Sequence, residues 1–122
     1  MNDPKSTLVL GASDNPSRYS NMAVQKLRSH GHPVKAIGRK KTVVQDVAVD
    51  VDHIPFTGID TVTVYLNPRN QEEYYDYILQ LSPRRIIFNP GAENPALVKL
   101  AQAKGIETLE ACTLVMLSTG QY

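Results

Sequence analysis

The feature that most constrains this chain is an alternation of short β-branched runs with longer amphipathic stretches. Five main strands are predicted, at Thr7–Leu10, Pro33–Ile37, Thr61–Leu66, Arg85–Phe88 and Ile106–Leu109. Helices are predicted at Asn21–His30, Arg69–Leu81, from Asn94 to near Lys104, and Thr113–Ser118. This alternation is typical of βαβ units, whose crossovers are right-handed. We therefore predict an α/β fold with one open, doubly wound parallel sheet, strand order 3-2-1-4-5 and helices on both faces.

The valine-rich segment Thr42–Val51 is interpreted as an excursion or a short edge strand. In open α/β sheets, ligands bind outside the carboxyl ends of the strands, where the strand order reverses. The candidate loops are those that begin at Gly11, Gly38, Leu66, Asn89 and Glu110.

Length and composition indicate an ordinary globular protein. The 122 residues predict a single domain spanning 1–122, and a net charge of +1 gives no reason to expect nucleic acid as a partner. The single cysteine, Cys112, excludes an intrachain disulfide and favours a reducing compartment. No signal peptide or membrane segment is recognised, so we expect a cytoplasmic protein without membrane contacts.

The turn after the first strand, GASDNPSRYSN, contains only part of a dinucleotide-binding fingerprint. Its first glycine is present, but Ser13 and Pro16 stand where G-x-G-x-x-G requires the other two. Phosphate binding is still compatible with this turn. Ser13 offers a hydroxyl, Arg18 offers a cation, and the following helix, with Ser20 or Asn21 as its cap, favours anions at its start. A plain turn with a solvated arginine accounts for the stretch equally well.

The second strand ends on a cationic sequence, IGRKK. Proteins that bind NAD usually carry an acidic residue in this region, which accepts hydrogen bonds from the ribose. Arg39, Lys40 and Lys41 instead favour a nucleotide with an additional phosphate, such as NADP or coenzyme A. In isolation, a basic surface loop explains the same residues.

The fourth strand leads directly into FNPGAEN. Gly91 allows a ligand to approach closely or the backbone to adopt a positive φ. Glu93 is the one acidic residue that we expect at this rim, and Asn94 is predicted to cap the next helix.

Together, the segments GASDNPSRYSN, VKAIGRK, VYLNP, IIFNPGAEN and CTLVML resemble the small stand-alone CoA-binding proteins. The fold of that family is similar to the N-terminal CoA-binding domain of the succinyl-CoA ligase alpha subunit, and the resemblance covers about Ser6 to Leu117. It implies a Rossmann-like fold that binds coenzyme A or acyl-CoA across the carboxyl edge of the sheet. The chain departs from the family at the second strand, which reads IGRK where many relatives have a proline.

The resemblance also implies a set of cofactor-binding residues, carried over by position. Those beneath the pyrophosphate are Gly11, Ala12 and Ser13. Those at the mouth of the site are Asn15, Pro16, Arg18 and Tyr19. Those near the adenosine 3′-phosphate are Arg39 and Lys40, with Gly38 before them in the same loop. Those beside the adenine or pantetheine are Leu66, Asn67 and Pro68. Those at the far arm of the ligand are Asn89, Pro90, Gly91 and Glu93.

No catalytic or metal-binding set is recognised in the sequence. His30, His32 and His53 lie away from the predicted rim, and no His/Cys cluster has metal-ligand spacing. Cys112 is the one candidate reactive group, with a buried apolar role as its alternative.

We therefore expect a CoA-binding module without its own catalytic machinery. An NADP-binding oxidoreductase-like domain and a ligand-free protein-interaction domain are the alternatives. A homodimer or an unidentified protein partner is compatible with the sequence.

Overall fold

A computed structural model describes residues 3–122, which form a seven-stranded sheet with helices on both faces. The strands are β1 (Thr7–Ala12), β2 (Val34–Gly38), β3 (Thr42–Val44), β4 (Val47–Asp50), β5 (Thr61–Val64), β6 (Arg85–Phe88) and β7 (Glu107–Glu110). Their order across the sheet is β3-β4-β2-β1-β5-β6-β7. All neighbouring pairs are parallel except the β3–β4 hairpin. The predicted class, α/β with a largely parallel sheet, is therefore confirmed.

The predicted strand number and the predicted order 3-2-1-4-5 are both wrong. The third predicted strand, β5, pairs with β1 and not with β2. The place beside β2 is taken by β4, with Ala36 opposite Val49. Val47 and Val49 on β4 are both buried, because alternate side chains of a strand point to the same face. The segment Thr42–Val51, interpreted as an excursion or a short edge strand, therefore forms the whole β3–β4 hairpin.

The helices are α1 (Tyr19–Ser29), α2 (Pro68–Gln71), α3 (Tyr75–Leu81), α4 (Pro95–Ala103) and α5 (Thr113–Ser118). A 3₁₀ turn at Glu72–Tyr74 joins α2 to α3, so the predicted helix Arg69–Leu81 is interrupted. Asparagine side chains cap two of these helices, each followed by a proline, as their sequences predict. None of the helices in the described part of the chain is long and apolar enough to cross a membrane.

The sheet separates two apolar clusters. Leu8 and Leu10 of β1 pack on the side of α3 and α4, where Ile78 and Leu97 are fully buried. Val9 packs on the opposite side, against residues of α1 and α5. The alternation of side chains along β1 thus places this strand at the centre of both clusters.

A polar cluster closes the amino-terminal edge of the sheet. The ring of Tyr122 is buried there, 4.4 Å from the Arg85 guanidinium and 4.8 Å from the ring of His32. Nδ1 of His32 accepts the Lys5 backbone N–H at 2.9 Å, which requires an unprotonated nitrogen. Burial, together with the charges of Lys5, His30 and Arg85, lowers the pKa of His32.

We expect the folded protein to lose stability as the pH falls below about 6.5, the ordinary pKa of histidine. Because the pKa of His32 is lowered by folding, the unfolded chain binds more protons in this range, and acidification favours it. Denaturant midpoints measured between about pH 8 and about pH 5 will report the loss. His32→Asn keeps an oxygen that can accept the Lys5 N–H and should flatten the profile. His30→Asn, on the exposed surface, is the control. A His32→Asn profile as steep as that of the wild type would contradict the assignment.

Candidate functional site

A cleft of about 810 Å³ lies at the carboxyl ends of β1, β2, β5 and β6. Its position follows from the topology, because the chain continues from β1 to β2 on one side and later returns to β5 on the other. Its lining residues that were also predicted from the sequence are Gly11, Ala12, Ser13, Arg18, Tyr19, Gly38, Arg39, Lys40, Leu66, Asn67, Pro90 and Gly91. The lining residues that sequence reasoning missed are Asp14, Ser17, Ser20, Ile37, Thr42, Tyr65, Asn70, Glu73, Tyr74 and Ala92.

Two glycines shape the floor of the cleft. Gly11 has a φ of +96° and lies at an irregularity in the β1–β2 register, between the pairs Leu10–Ile37 and Ala12–Gly38. A Cβ at Gly38 would lie 2.2 Å from the carbonyl oxygen of Ala12. Gly38 is therefore needed for the close packing of β1 on β2, whether or not a ligand also approaches it.

The loop between β1 and α1 is held by its own hydrogen bonds. The Asn15 N–H donates to Ser13 Oγ at 3.1 Å, and Asn15 Oδ1 accepts the Ser17 N–H at 3.0 Å. Asn15 and Pro16 lie outside the cleft lining, on the exposed side of this loop. The loop therefore has a defined conformation that brings Ser13 and Ser17 to the cleft.

The start of α1 differs from the prediction. The helix begins at Tyr19, and Arg18 occupies the N-cap position without a capping side-chain bond. Ser20 and Asn21, predicted as possible caps, lie buried within the first turn, and Asn21 Nδ2 donates to the Ser13 carbonyl at 2.9 Å. In the described part of the chain, no side chain thus caps the start of α1, and the cleft residues Arg18 and Tyr19 lie there.

The segment after β2 contributes Arg39 and Lys40 to the basic side of the cleft. Lys40 Nζ lies 3.0 Å from Asp14 Oδ2. Arg39 is exposed and forms no ion pair with any residue of the described chain. Lys41 is exposed and lies outside the lining. An incoming anion would therefore meet Arg39 without first displacing a carboxylate from it.

The opposite wall depends on a buried amide that sequence reasoning missed. Gln71 is fully buried, and its Nε2 donates to the carbonyls of Leu66 and Ala92, both at 2.8 Å. Asn94 Nδ2 donates to Gln71 Oε1 at 3.0 Å. This network ties the loop after β5 to the loop after β6. The one feature of the sequence that could have pointed to Gln71 is its position in the helix predicted after Asn67.

Asn89 has a similar function beneath the cleft. Its Nδ2 donates to Thr63 Oγ1 at 2.7 Å and to the Val64 carbonyl at 2.9 Å, and its Oδ1 accepts the Thr113 N–H at 2.9 Å. It is buried and lies outside the cleft lining. Pro68 and Glu93 also lie outside the lining, but they are exposed. Asn89 therefore fixes the ends of β5, β6 and α5 relative to one another.

Gly91, in the loop after β6, has a backbone conformation that favours glycine. Its φ is +92°, and a Cβ built there would meet no atom within 4 Å. The Gly91 N–H donates to Glu93 Oε1 at 2.9 Å, so Glu93 orders this loop from outside the lining. The glycine is thus required by backbone conformation, and the space beside it is free.

Two tyrosines of the lining have contrasting surroundings. The ring of Tyr74 packs against that of His53, with 4.6 Å between the ring centroids. The Tyr65 hydroxyl is buried without a hydrogen-bond partner among residues 3–122, and burial raises its pKa. Cys112 is half-buried and lies outside the cleft lining.

Gln71→Leu should lower the free energy of unfolding by about 3 kcal/mol. The substitution keeps the volume but removes the Gln71 donor from the carbonyls of Leu66 and Ala92. It also removes one of the two acceptors of the Asn94 amide, which keeps its bond to the Tyr75 hydroxyl. Chemical denaturation measures the loss. Gln80→Leu, at an exposed position of α3, should change stability by less than about 0.5 kcal/mol. Equal stability of the two variants would show that the network does not hold the loops together.

Comparison with known proteins identifies the family. The pattern of the CoA binding domain matches residues 5–118. An uncharacterized protein of known crystal structure shares 46% identity with a TM-score of 0.97, covering 99% of this chain and 100% of that one. A hypothetical protein from Pyrococcus horikoshii OT3 has 23% identity and a TM-score of 0.84, covering 95% of this chain and 83% of that one. A protein from Thermus thermophilus has 20% identity and a TM-score of 0.85, covering 98% of this chain and 91% of that one.

None of the curated proteins compared with this chain is a significant match. The two thermophile proteins show similarity of fold alone, whereas the family pattern covers nearly all of the sequence. The resemblance predicted from the loop sequences is confirmed, and this chain belongs to the CoA binding domain family.

Proposed function

We propose that this protein is a single-domain, cytoplasmic module that binds coenzyme A or acyl-CoA across the carboxyl edge of its sheet, without catalytic machinery of its own. The observation that carries the proposal is the cleft at the strand-order reversal, whose lining includes both the uncapped start of α1 and Arg39, a cation without an ion pair in the described chain. Its volume is within the usual range for small-molecule sites. Membership of the CoA binding domain family gives the ligand class.

The pyrophosphate is assigned to the floor, along Gly11, Ala12 and Ser13. Backbone amides at a helix start bind phosphate well, because they combine hydrogen-bond donors with the positive end of the helix dipole. The absence of a side-chain cap on α1 supports this assignment, since an anion would satisfy the same donors. Arg18 and Tyr19 at the mouth then lie beside the bound phosphates.

The 3′-phosphate on the ribose is assigned to Arg39 and Lys40. Guanidinium groups bind phosphate oxygens through paired, charge-assisted hydrogen bonds. The other wall, with Leu66, Asn67, Pro90 and Gly91, is left for the adenine and the pantetheine arm. The buried Asn89 contributes indirectly, by fixing the strand ends under these loops.

The lining supports binding better than catalysis. No histidine or cysteine lies among the lining residues of the described chain, and its carboxylates are Asp14 and Glu73. Asp14 is engaged with Lys40. Nucleophilic catalysis needs a nucleophile within reach of an oriented base, and the lining offers no such pair.

Calorimetric titration of the full chain with CoA, dephospho-CoA, NADP and NAD tests the proposal. We expect micromolar binding of CoA, weaker binding of dephospho-CoA, and no binding of NAD. Selective binding of NADP would overturn the proposal in favour of an oxidoreductase-like domain, because the same basic loop suits a 2′-phosphate. Absence of binding by all four nucleotides would favour a protein-interaction domain.

Arg39→Glu should weaken CoA about 10- to 100-fold and dephospho-CoA much less. The expected loss corresponds to removal of a charge-assisted hydrogen bond of about 1.5–3 kcal/mol. Lys99→Glu makes the same charge change at an exposed position of α4 outside the cleft and is the control. Equal losses for both ligands in Arg39→Glu would place the 3′-phosphate elsewhere.

Ser13→Tyr should abolish CoA binding while the protein stays folded. The added ring would enter the floor of the cleft, where the pyrophosphate is assigned. Titration measures affinity, and thermal unfolding with circular dichroism verifies the fold. Ser29→Tyr, at the exposed end of α1, should bind CoA normally. Undiminished affinity in a folded Ser13→Tyr variant would rule out the placement of the pyrophosphate.

A further inference from the structure

We infer that Asp14 is a specificity-determining residue of the cleft, whose carboxylate limits the preference for a ribose phosphate over a ribose hydroxyl. The inference rests on the proposed function and adds to it a residue with an effect opposite to that of the basic loop. Asp14 was not among the site residues predicted from the sequence, and it lines the cleft.

The carboxylate of Asp14 bridges two loops on the basic side of the cleft. Asp14 belongs to the loop after β1, whereas Lys40 and Thr42 belong to the segment after β2. Asp14 Oδ2 lies 3.0 Å from Lys40 Nζ and accepts the Thr42 hydroxyl at 3.2 Å. All three residues line the cleft. Asp14 therefore places a negative charge beside the lysine assigned to the ligand phosphate.

This ion pair is held loosely enough for a ligand to replace it. The side chains of Lys40 and Asp14 are 68% and 38% exposed. Exposed ion pairs contribute little to stability, because solvent screens their attraction and both side chains lose conformational freedom. The hydrogen bond from Lys40 lowers the pKa of Asp14, so the carboxylate is charged at neutral pH. A nucleotide thus enters a site in which Lys40 already has an anionic partner.

The two forms of the ribose meet Asp14 differently. A phosphate beside Arg39 and Lys40 competes with the carboxylate for Lys40 and is repelled by its charge. A free ribose hydroxyl can instead donate a hydrogen bond to the carboxylate, as it does to the acidic residue of NAD-binding sites. Arg39 and Lys40 therefore favour the phosphorylated ligand, and Asp14 reduces that preference.

A purely structural role for Asp14 gives a different pattern of affinities. If the carboxylate only held the two loops together, its loss would change the affinity for CoA and for dephospho-CoA by the same factor. Asp14→Asn keeps an oxygen that can accept the Thr42 hydroxyl and removes only the charge. The ratio of the two dissociation constants therefore separates the two roles.

The test is calorimetric titration of the full-length wild type and two variants with CoA and with dephospho-CoA. In Asp14→Asn, the ratio of the dissociation constant for dephospho-CoA to that for CoA should rise about two- to fivefold, the size expected for one exposed charge at the rim. Asp46→Asn is the matched control, since Asp46 is also exposed and ion-paired, at 2.7 Å from Arg28, but lies outside the cleft. Its ratio should equal that of the wild type.

An unchanged ratio in Asp14→Asn, in a wild type that binds CoA, overturns this inference and leaves the proposed function intact. If the ratio is unchanged because both dissociation constants change by the same factor, the role of Asp14 is structural. A wild type that binds neither ligand overturns the proposed function, and the inference with it. These results are distinguishable because the wild-type titration is measured first.

Discussion

The close approach of β1 and β2 at their carboxyl ends is the constraint on which the cleft depends. The Ala12 carbonyl oxygen occupies the space that a side chain at position 38 would need. Gly38 permits this approach, and the positive φ of Gly11 directs the chain toward α1. Because β1 also pairs with β5 in register from Thr7 to Leu10, loops from all three strands emerge at one edge. The location of the cleft is thus a consequence of sheet geometry before any ligand is considered.

On the other side of β1, buried amides fix the loops. The polar side-chain atoms of Gln71 and Asn89 have partners, which are backbone groups, the Thr63 hydroxyl and the Asn94 side-chain amide. In a region of low dielectric, such networks are strong when complete and costly when one partner is missing. They hold the loops after β5 and β6 in position without a ligand, so less conformational entropy is lost on binding.

The elements of this fold could largely be predicted from the sequence, but their arrangement could not. β-branched runs marked the main strands, and the Asn-Pro pairs at Asn67 and Asn94 marked two helix starts. The strand order depended on which segment fills the edge beside β2, and the alternation of Val47 and Val49 does not specify a partner strand. Twelve of the predicted site residues line the cleft because they lie in the last residues of strands or in the segments that follow them. Gln71 was missed because its partner Ala92 lies far away in the sequence.

The groups that stabilise the backbone of the cleft differ from the charged groups at its rim. Buried amides and glycines hold the backbone, whereas the charges at the rim, on Arg39, Lys40 and Asp14, are exposed and contribute little to folding. Substitutions at the rim can therefore change ligand preference at little cost in stability. The backbone that forms the cleft and the charges at its rim are thus specified by different residues. Ligand preference within such a fold consequently depends on the rim residues of each individual chain.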